Sequence, residues 1–158
     1  MKQMTVLTHP TDQSDCIFCI QDATEGTGKH GIEPERIIRE YDHWWLIIQP
    51  KARRQKTELA AGFLITKRPV ALMSGLTQAE FGSIVDIAHD AAEALCAAAG
   101  TTYTGQYNAG YNEGKEAGQS VSHAHFHILP VSEEDPAVLK THGGIGGAFV
   151  ALHRRYVS

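Results

Sequence analysis

The most informative part of this chain is Gln119-Ser120-Val121-Ser122-His123-Ala124-His125-Phe126-His127-Ile128-Leu129-Pro130. Three histidines stand at alternate positions here, and apolar residues occupy the positions between and after them. A period of two is typical of a half-buried β-strand, whereas a helix would scatter the three imidazoles around its axis. The pattern therefore predicts a strand over residues 122–129 with a row of imidazoles on one face and apolar side chains on the core face.

A row of imidazoles has two chemical uses, and the histidines alone leave both open. Imidazole titrates near neutral pH, attacks phosphorus and carbonyl centres and transfers protons, so the row could hold a nucleophile and its proton handlers. A His-x-His strand also suits zinc, which would make the row a metalloenzyme site. The residues that precede the strand bear on this choice.

Residues 108–120, which precede the strand, are rich in glycine and small polar residues. Glycines let backbone N–H groups approach an anion closely, and Gln119 and Ser120 add side-chain donors just before the first imidazole. N–H and O–H donors are what a phosphate group needs. The segment therefore favours a phosphate site, with an ordinary hairpin turn as the alternative.

These residues resemble the histidine triad (HIT) family of nucleotide hydrolases and transferases. The resemblance is carried by the pattern Asn112-x-Gly114-x-x-Ala117-Gly118-Gln119-Ser120-Val121-x-His123-x-His125-x-His127-Ile128-Leu129-Pro130. Cys16-Ile17-Phe18-Cys19 is similar to the opening of many bacterial members. In these motifs the chain most resembles dinucleoside polyphosphate hydrolase-like and bacterial HIT proteins. The resemblance covers residues 15–130 and implies an enzyme whose chemistry needs no cofactor.

The resemblance implies a role for each residue of the catalytic set. His125 would attack the α-phosphorus of a nucleotide and form a covalent nucleotidyl-histidine. His127 would contact the phosphate, His123 would orient the nucleophile, and Gln119 would handle the leaving group. The implied nucleotide-binding residues are Ile17, Phe18, Gln49, Asn112, Gly118, Gln119 and Ser120, of which the first two would line the base pocket.

The sequence departs from the family at three places between residues 47 and 69. Many relatives grip the ribose with an Asp or Asn after the second strand, and here Ile47 cannot do so but Gln49 could. The following connection is longer and carries a basic run at residues 51–56, either a solvated loop or an arm for extra phosphates. Metal-binding relatives place a histidine where this chain has Arg68-Pro69.

The third departure bears on zinc. Cys16-x-x-Cys19 has the spacing of half a tetrahedral zinc site, and the resemblance makes His123 a third ligand. His30 or His43 could supply the fourth ligand. The alternative is two reduced thiols at a turn, so a structural zinc remains open here.

Composition sets the broad class. With 158 residues, 42% of them hydrophobic, the chain predicts one globular unit: a HIT domain over 14–132, an N-terminal arm over 1–13 and a C-terminal extension over 133–158. A net charge of −4 argues against nucleic acid as a partner. No apolar segment approaches the length needed to span a membrane, and three cysteines without a signal-like start predict a cytoplasmic protein.

The element pattern predicts an α+β, HIT-like fold with about five antiparallel strands, one long helix and a short one. The strands are expected at 37–40, 44–48, 63–66, 102–107 and 122–129, and consecutive strands without crossover helices favour antiparallel pairing. A capping box, Thr77-Gln78-Ala79-Glu80, would open the long helix, Gly100 would end it, and the short helix would cover 135–141. The predicted buried stripe of the long helix is Phe81, Ile84, Val85, Ala88, Ala92 and Leu95.

The resemblance adds that two such subunits pair into a homodimer with a continuous sheet. Within the family, the motif context favours dinucleoside polyphosphates as substrates, with nucleoside phosphoramidates a close second. A nucleotide-binding or adaptor protein with incidental hydrolysis and a metalloenzyme built on the histidine row are the alternatives.

Overall fold

The computed structural model describes residues 7–11, 16–20, 32–49 and 60–135. The basic run at 51–56, the predicted short helix beyond residue 135 and the glycine-rich stretch at 142–147 lie outside these residues. Among the described residues, no helix is long and apolar enough to cross a bilayer.

One antiparallel sheet and one helix make up the described fold, which confirms the predicted α+β class. In chain order the elements are β1 (Ile37–Glu40), β2 (Trp44–Ile48), β3 (Gly62–Thr66), α1 (Gln78–Ala99), β4 (Tyr103–Gly110) and β5 (His125–Ser132). Short 3₁₀ turns occur at Pro34–Arg36, Met73–Gly75 and Lys115–Ala117. The strand order across the sheet is β1-β2-β3-β5-β4, and every neighbouring pair is antiparallel.

The histidine strand β5 lies inside the sheet although it comes last along the described chain. It pairs with β3 so that His125 lies opposite Ile65 and His127 lies opposite Phe63, while β4 pairs with its other side. Because both neighbours supply ladder hydrogen bonds, this strand is a rigid support for the imidazoles. Strand β4 is left at the edge of the sheet.

Strand β5 begins at His125, three residues later than the alternation predicts. The backbone N–H of Ala124 donates to the carbonyl of Val70 at 2.7 Å, and its carbonyl accepts from the N–H of Thr66 at 3.3 Å. The hydrogen bond to the loop that follows β3 takes Ala124 out of the regular ladder. His123 therefore stands just before the strand rather than on it.

The two faces of the sheet bury different sets of side chains. Trp44 and Leu46 pack on the helix side with Leu64, Ala124 and Ile128. The opposite side buries a second cluster, which consists of Cys16, Phe18, Ile20, Ile32, Trp45, Ile47 and Ile65. Strand β2 is consequently buried along its whole length, and its two tryptophans point to opposite faces. The N-terminal residues 16–20 thus cover the sheet face that carries the histidines.

Both ends of helix α1 form as the sequence predicts. The Thr77 side chain accepts from the N–H of Glu80 at 3.2 Å, and the Glu80 carboxylate accepts from the N–H of Thr77 at 2.7 Å, which completes the capping box. Gly100 ends the helix with a left-handed φ of 73°.

The predicted buried stripe of this helix is wrong at two positions. Ile84, Ala88, Ala92 and Leu95 are buried, but Phe81 is 41% exposed and Val85 is 81% exposed. Phe81 and Val85 are one turn apart, on a flank of the helix that the sheet does not cover. The stripe is narrower there than the sequence pattern suggests.

Candidate active site

His125 is held in one orientation by the backbone of the residue two positions before it. Its Nδ1 lies 2.8 Å from the carbonyl oxygen of His123, and since a carbonyl only accepts, Nδ1–H is the donor. In the neutral ring, Nε2 then carries the lone pair. The side chain is buried, and burial lowers the pKa of His125 below its ordinary value. Both observations favour a neutral ring whose lone pair is on Nε2.

Aromatic rings enclose His125 on several sides. Its ring centroid lies 5.2 Å from that of Phe18, 5.5 Å from that of Phe63 and 5.3 Å from that of His127, all in edge-to-face geometry. Burial lowers the pKa of His127 to about 4, and the charge of His125 adds to this effect. Of the two imidazoles, His125 is buried and His127 is only partly so.

His123 is oriented differently from the other two histidines. It is fully buried, and its Nε2–H donates to the carbonyl of Thr66 at 2.8 Å with the Thr66 hydroxyl oxygen at 3.0 Å. Burial lowers the pKa of His123 to about 4. Its unprotonated Nδ1 then faces two cysteines. The three histidines therefore divide into a pair with adjacent rings, His125 and His127, and a third ring in a separate cluster.

That cluster consists of His9, Cys16, Cys19 and His123, whose ligand atoms all lie within 4.8 Å of one another. The His123 Nδ1 atom is 3.2 Å from His9 Nε2, 3.4 Å from Cys16 Sγ and 3.6 Å from Cys19 Sγ, and Cys19 Sγ is 3.3 Å from His9 Nε2. A zinc tetrahedron with ordinary bond lengths has N–N edges of about 3.3 Å and N–S edges of about 3.6 Å. These residues fit zinc in both ligand type and spacing.

The fourth member of this cluster was not predicted from the sequence. His43 has an exposed side chain and is not part of the cluster, and His30 lies outside the described residues. His9 stands seven residues before the first cysteine, which matches no zinc-ligand spacing. The polar residues around it give no local signal that would single it out as a ligand. Burial, followed by the neighbouring thiol of Cys16, raises the pKa of Cys19 to about 12, so the Cys19 thiol is neutral without a cation.

The loop before the histidines is shaped by two glycines and braced by Gln119. Gly114 and Gly118 adopt positive φ values of 91° and 94°, which only glycine takes readily, on either side of a 3₁₀ turn. The buried Gln119 side chain accepts from the N–H of Gly114 at 2.8 Å. Its amide group donates to the carbonyls of Ala71 and Val121 at 2.6 and 2.9 Å. In the free protein both the oxygen and the nitrogen of the Gln119 side-chain amide thus fix the conformation of this loop.

A cavity of about 410 Å³ opens beside this loop. Its lining residues are Leu7, Lys115, Gly118, Gln119, Ser120 and Ser122. Three predicted nucleotide-binding residues, Gly118, Gln119 and Ser120, therefore meet in one cavity. Lys115 and Ser122 add a cation and a hydroxyl that were not predicted from the sequence. Their signal was their position inside the histidine triad pattern, at two of its unspecified places.

The remaining predicted nucleotide-binding residues are Asn112, Phe18, Ile17 and Gln49, none of which lines this cavity. Asn112 approaches the carbonyl of Gly118 with its amide nitrogen at 3.5 Å. Phe18 is buried against His125, while Ile17 beside it is 38% exposed. Gln49 follows β2, and its backbone N–H donates to the carbonyl of Ala61 at 3.0 Å.

A model of the HIT domain matches residues 34–134 of this sequence. The chain belongs to the HIT domain family. A search of curated proteins gave no significant match.

Several solved structures are similar to this HIT domain. The NitFhit protein of C. elegans is 24% identical with a TM-score of 0.50, and the alignment covers 80% of this chain but only 28% of the nematode chain. The Plasmodium falciparum diadenosine triphosphate hydrolase, solved with cyclomarin A, is 19% identical with a TM-score of 0.51, covering 80% of this chain and 78% of that one. At these identities the likeness shows a shared fold.

Proposed function

We propose that this HIT domain is a nucleotidyl hydrolase or transferase that cleaves at the α-phosphate of a nucleotide through a covalent intermediate on His125. The observation that carries the proposal is the hydrogen bond from His125 Nδ1 to the carbonyl of His123, at 2.8 Å. It leaves Nε2 as the attacking atom of a neutral imidazole, and it fixes the ring before substrate arrives.

The proposed reaction has two steps. His125 Nε2 attacks the α-phosphorus, a nitrogen–phosphorus bond forms, and the bond to the leaving group breaks with its electron pair passing to that group. Water then attacks the same phosphorus, the electron pair of the nitrogen–phosphorus bond returns to Nε2, and the proton of the water passes to solvent. In a transferase another acceptor takes the place of water.

The surrounding residues would position the substrate. His127, with its ring 5.3 Å from that of His125, would contact the α-phosphate. Ser120 and the backbone of Gly118 would donate to phosphate oxygens from the cavity wall. Gln119 would act on the bridging or leaving group through the loop that it braces.

Three further residues would hold the rest of the nucleotide. Ile17 and Phe18 would line the base pocket, and Gln49 would replace the usual ribose-binding residue. If the alternation of β2 continues, the Gln49 side chain lies on the same sheet face as Trp45 and Ile47, which is the histidine face.

A dinucleoside polyphosphate is the favoured substrate. Its leaving group departs as a phosphate anion and needs no proton, whereas the amine of a phosphoramidate must be protonated as it leaves. His127 has a pKa of about 4 in the free protein and is a poor acid at pH 7. Lys115 in the cavity would attract the extra phosphates.

The test is intact-mass spectrometry of the protein mixed with a diadenosine polyphosphate or with an AMP amide. We expect a transient nucleotidyl adduct on the wild type and none on His125→Asn, whose turnover should fall by at least about 10³-fold. His89→Asn, at an exposed histidine on α1, is the matched control and should retain both. Turnover by His125→Asn at the wild-type rate would refute the assignment of His125 as the nucleophile. If the wild type binds nucleotide without any turnover, an adaptor protein is favoured.

We also propose a structural zinc held by Cys16, Cys19 and His123. When bound, zinc would neutralise the two thiolates and tie residues 16–20 to the sheet. His123 would use Nδ1 toward the metal while its backbone carbonyl orients His125. Of the three triad histidines, only His123 belongs to this cluster, so the geometry does not favour a metalloenzyme that uses the whole row.

We further propose that two copies of the chain pair through the β4 edge. This strand has one described neighbour in the sheet, and an unpaired edge can extend its ladder to a second copy. Exposed apolar side chains stand nearby: Phe81 and Val85 on α1 and Tyr111 just after β4, with the rings of Phe81 and Tyr111 6.1 Å apart. A twofold contact would bury these side chains on both subunits.

A further inference from the structure

The N-terminal residues 7–11 lie against the site through the side chain of His9. Its Nε2 is 3.2 Å from His123 Nδ1 and 3.3 Å from Cys19 Sγ, and its ring meets that of His123 edge-on at 5.1 Å between centroids. His9 is thus placed beside the cysteines and beside His123, 114 positions away in sequence, where the cluster needs one more ligand.

The position at which metal-binding relatives carry their histidine is occupied differently here. Arg68 stands there, and its guanidinium donates to both carboxylate oxygens of Glu80, at 2.8 and 2.7 Å, and to the carbonyl of Gly75. A guanidinium stays protonated and offers no lone pair to a metal. A four-coordinate site in this chain must take its fourth ligand from another segment.

His9 also connects the cluster to the substrate cavity. Leu7, two residues earlier, lines that cavity together with Lys115, Ser120 and Ser122. Because two residues of extended chain span at most about 7 Å, fixing His9 also restricts where Leu7 can lie. One wall of the cavity therefore depends on where the His9 ring is held.

We propose that His9 is the fourth ligand of the zinc site and that the bound metal, by anchoring residues 7–11, holds Leu7 as a wall of the nucleotide cavity. The part that concerns the cavity rests on the proposed function. His9 is thus a positioning residue that acts on substrate through Leu7, and the N-terminal arm contributes to the site. The substrate class is a nucleotide whose phosphates reach the Lys115 side of the cavity.

The first experiment measures metal alone, so it does not require activity. Zinc and cobalt are titrated into the full chain against a chromogenic chelator, with the cobalt spectrum reporting thiolate ligation and tetrahedral geometry. We expect one metal per chain, binding at least about 100-fold weaker in His9→Ala, and recovery of most of that affinity in His9→Cys because a thiolate also ligates zinc. His43→Ala, at an exposed histidine, is the control and should bind as the wild type.

If His9→Ala binds metal with wild-type affinity, or if the wild type binds no metal, the proposal that His9 is a zinc ligand is wrong. Circular dichroism of each variant checks that it is folded. If His9→Ala does not fold, the metal affinity of His9→Cys still tests whether a ligand is needed at position 9.

The second experiment measures nucleotide kinetics and binding. We expect KM to rise about tenfold or more in both His9→Ala and Leu7→Ala with kcat changed less than about threefold, while Leu7→Ala keeps wild-type metal affinity. An unchanged KM in either variant would refute the proposal that Leu7, held in place through His9, forms a wall of the nucleotide cavity. If the wild type neither binds nor cleaves any nucleotide, the proposed function and the proposed role of Leu7 are both wrong. The metal titration still tests whether His9 is a zinc ligand.

Discussion

Glu80, at the start of helix α1, is a carboxylate through which acid should weaken the fold. Both oxygens accept from the Arg68 guanidinium, at 2.8 and 2.7 Å, and one also accepts from the N–H of Thr77 at 2.7 Å. The hydrogen bonds from Arg68 are the main cause that lowers the pKa of Glu80 from 4.5 to about 2, with those from Thr77 contributing less. Glu80 is only 8% exposed.

The magnitude follows from linkage. A shift of this size corresponds to at most about 3.5 kcal/mol, at roughly 1.4 kcal/mol per pKa unit. The Arg68 side chain is 45% exposed, so solvent screening reduces the contribution, and we expect about 1.5–2 kcal/mol. Since the folded-state pKa is depressed, this stability is present above the unfolded value of about 4.5 and is lost as the pH falls toward 2, with more than half gone near pH 3.

The perturbation is Glu80→Gln, which keeps the shape and removes the charge. Urea unfolding at pH 7 should show a free energy of unfolding lower by about 1.5–2 kcal/mol, and the gap to the wild type should shrink steadily between pH 4.5 and pH 3. Glu93→Gln, at an exposed position of the same helix, is the matched control. A gap that stays the same at pH 3, or no gap at pH 7, would refute the reasoning.

Three further changes test the packing, the histidine support and the subunit contact. In Gly62→Ala, the added Cβ would lie 2.4 Å from a methyl group of Leu95 and 2.3 Å from a β2 carbonyl oxygen, so urea unfolding should show a loss of about 2–3 kcal/mol. In Thr66→Val, the hydroxyl that is lost donates to the backbone carbonyl of Arg68 at 2.8 Å, so urea unfolding should show a loss of about 1–3 kcal/mol. In Val85→Asp, at an 81% exposed position, sedimentation velocity should show a monomer, whereas we expect the wild type to sediment as a dimer.

Each of these changes has its own check. Gly82→Ala, where an added Cβ meets no atom within 4 Å, should be neutral or stabilising because alanine favours a helix. Thr66→Ser keeps the hydroxyl and should lose less stability than the valine variant. Stability of Gly62→Ala equal to the wild type would contradict the close contact, and a Val85→Asp dimer would remove this flank from the interface.

Local patterns predicted much of the fold, because the forces that form these elements act over a few residues. The strands at 37–40 and 44–48 have the predicted bounds, and the helix begins and ends where its capping residues place it. A capping box and a left-handed glycine satisfy backbone groups within one turn, so no distant contact is needed. The fifth strand differs because a loop carbonyl, at Val70, competes for the hydrogen bond that would have extended the ladder.

The candidate site was less predictable, because its geometry depends on residues far apart in the chain. The amide of Gln119, assigned to the leaving group, also braces its own loop with three hydrogen bonds. His9 joins His123 across 114 positions, and Leu7 and Lys115 meet in one cavity. No spacing rule connects such pairs.

Local sequence patterns were enough to identify an α+β protein of the HIT domain family in which His125 and His127 alternate on one strand. Periodicity and capping are local, so they are readable without coordinates. Only the folded chain shows that His123 faces two cysteines and His9 while His125 donates from Nδ1 to a backbone carbonyl. Ring orientation is set by which carbonyls and thiols the folded chain brings within hydrogen-bonding distance, and those partners come from four separate segments.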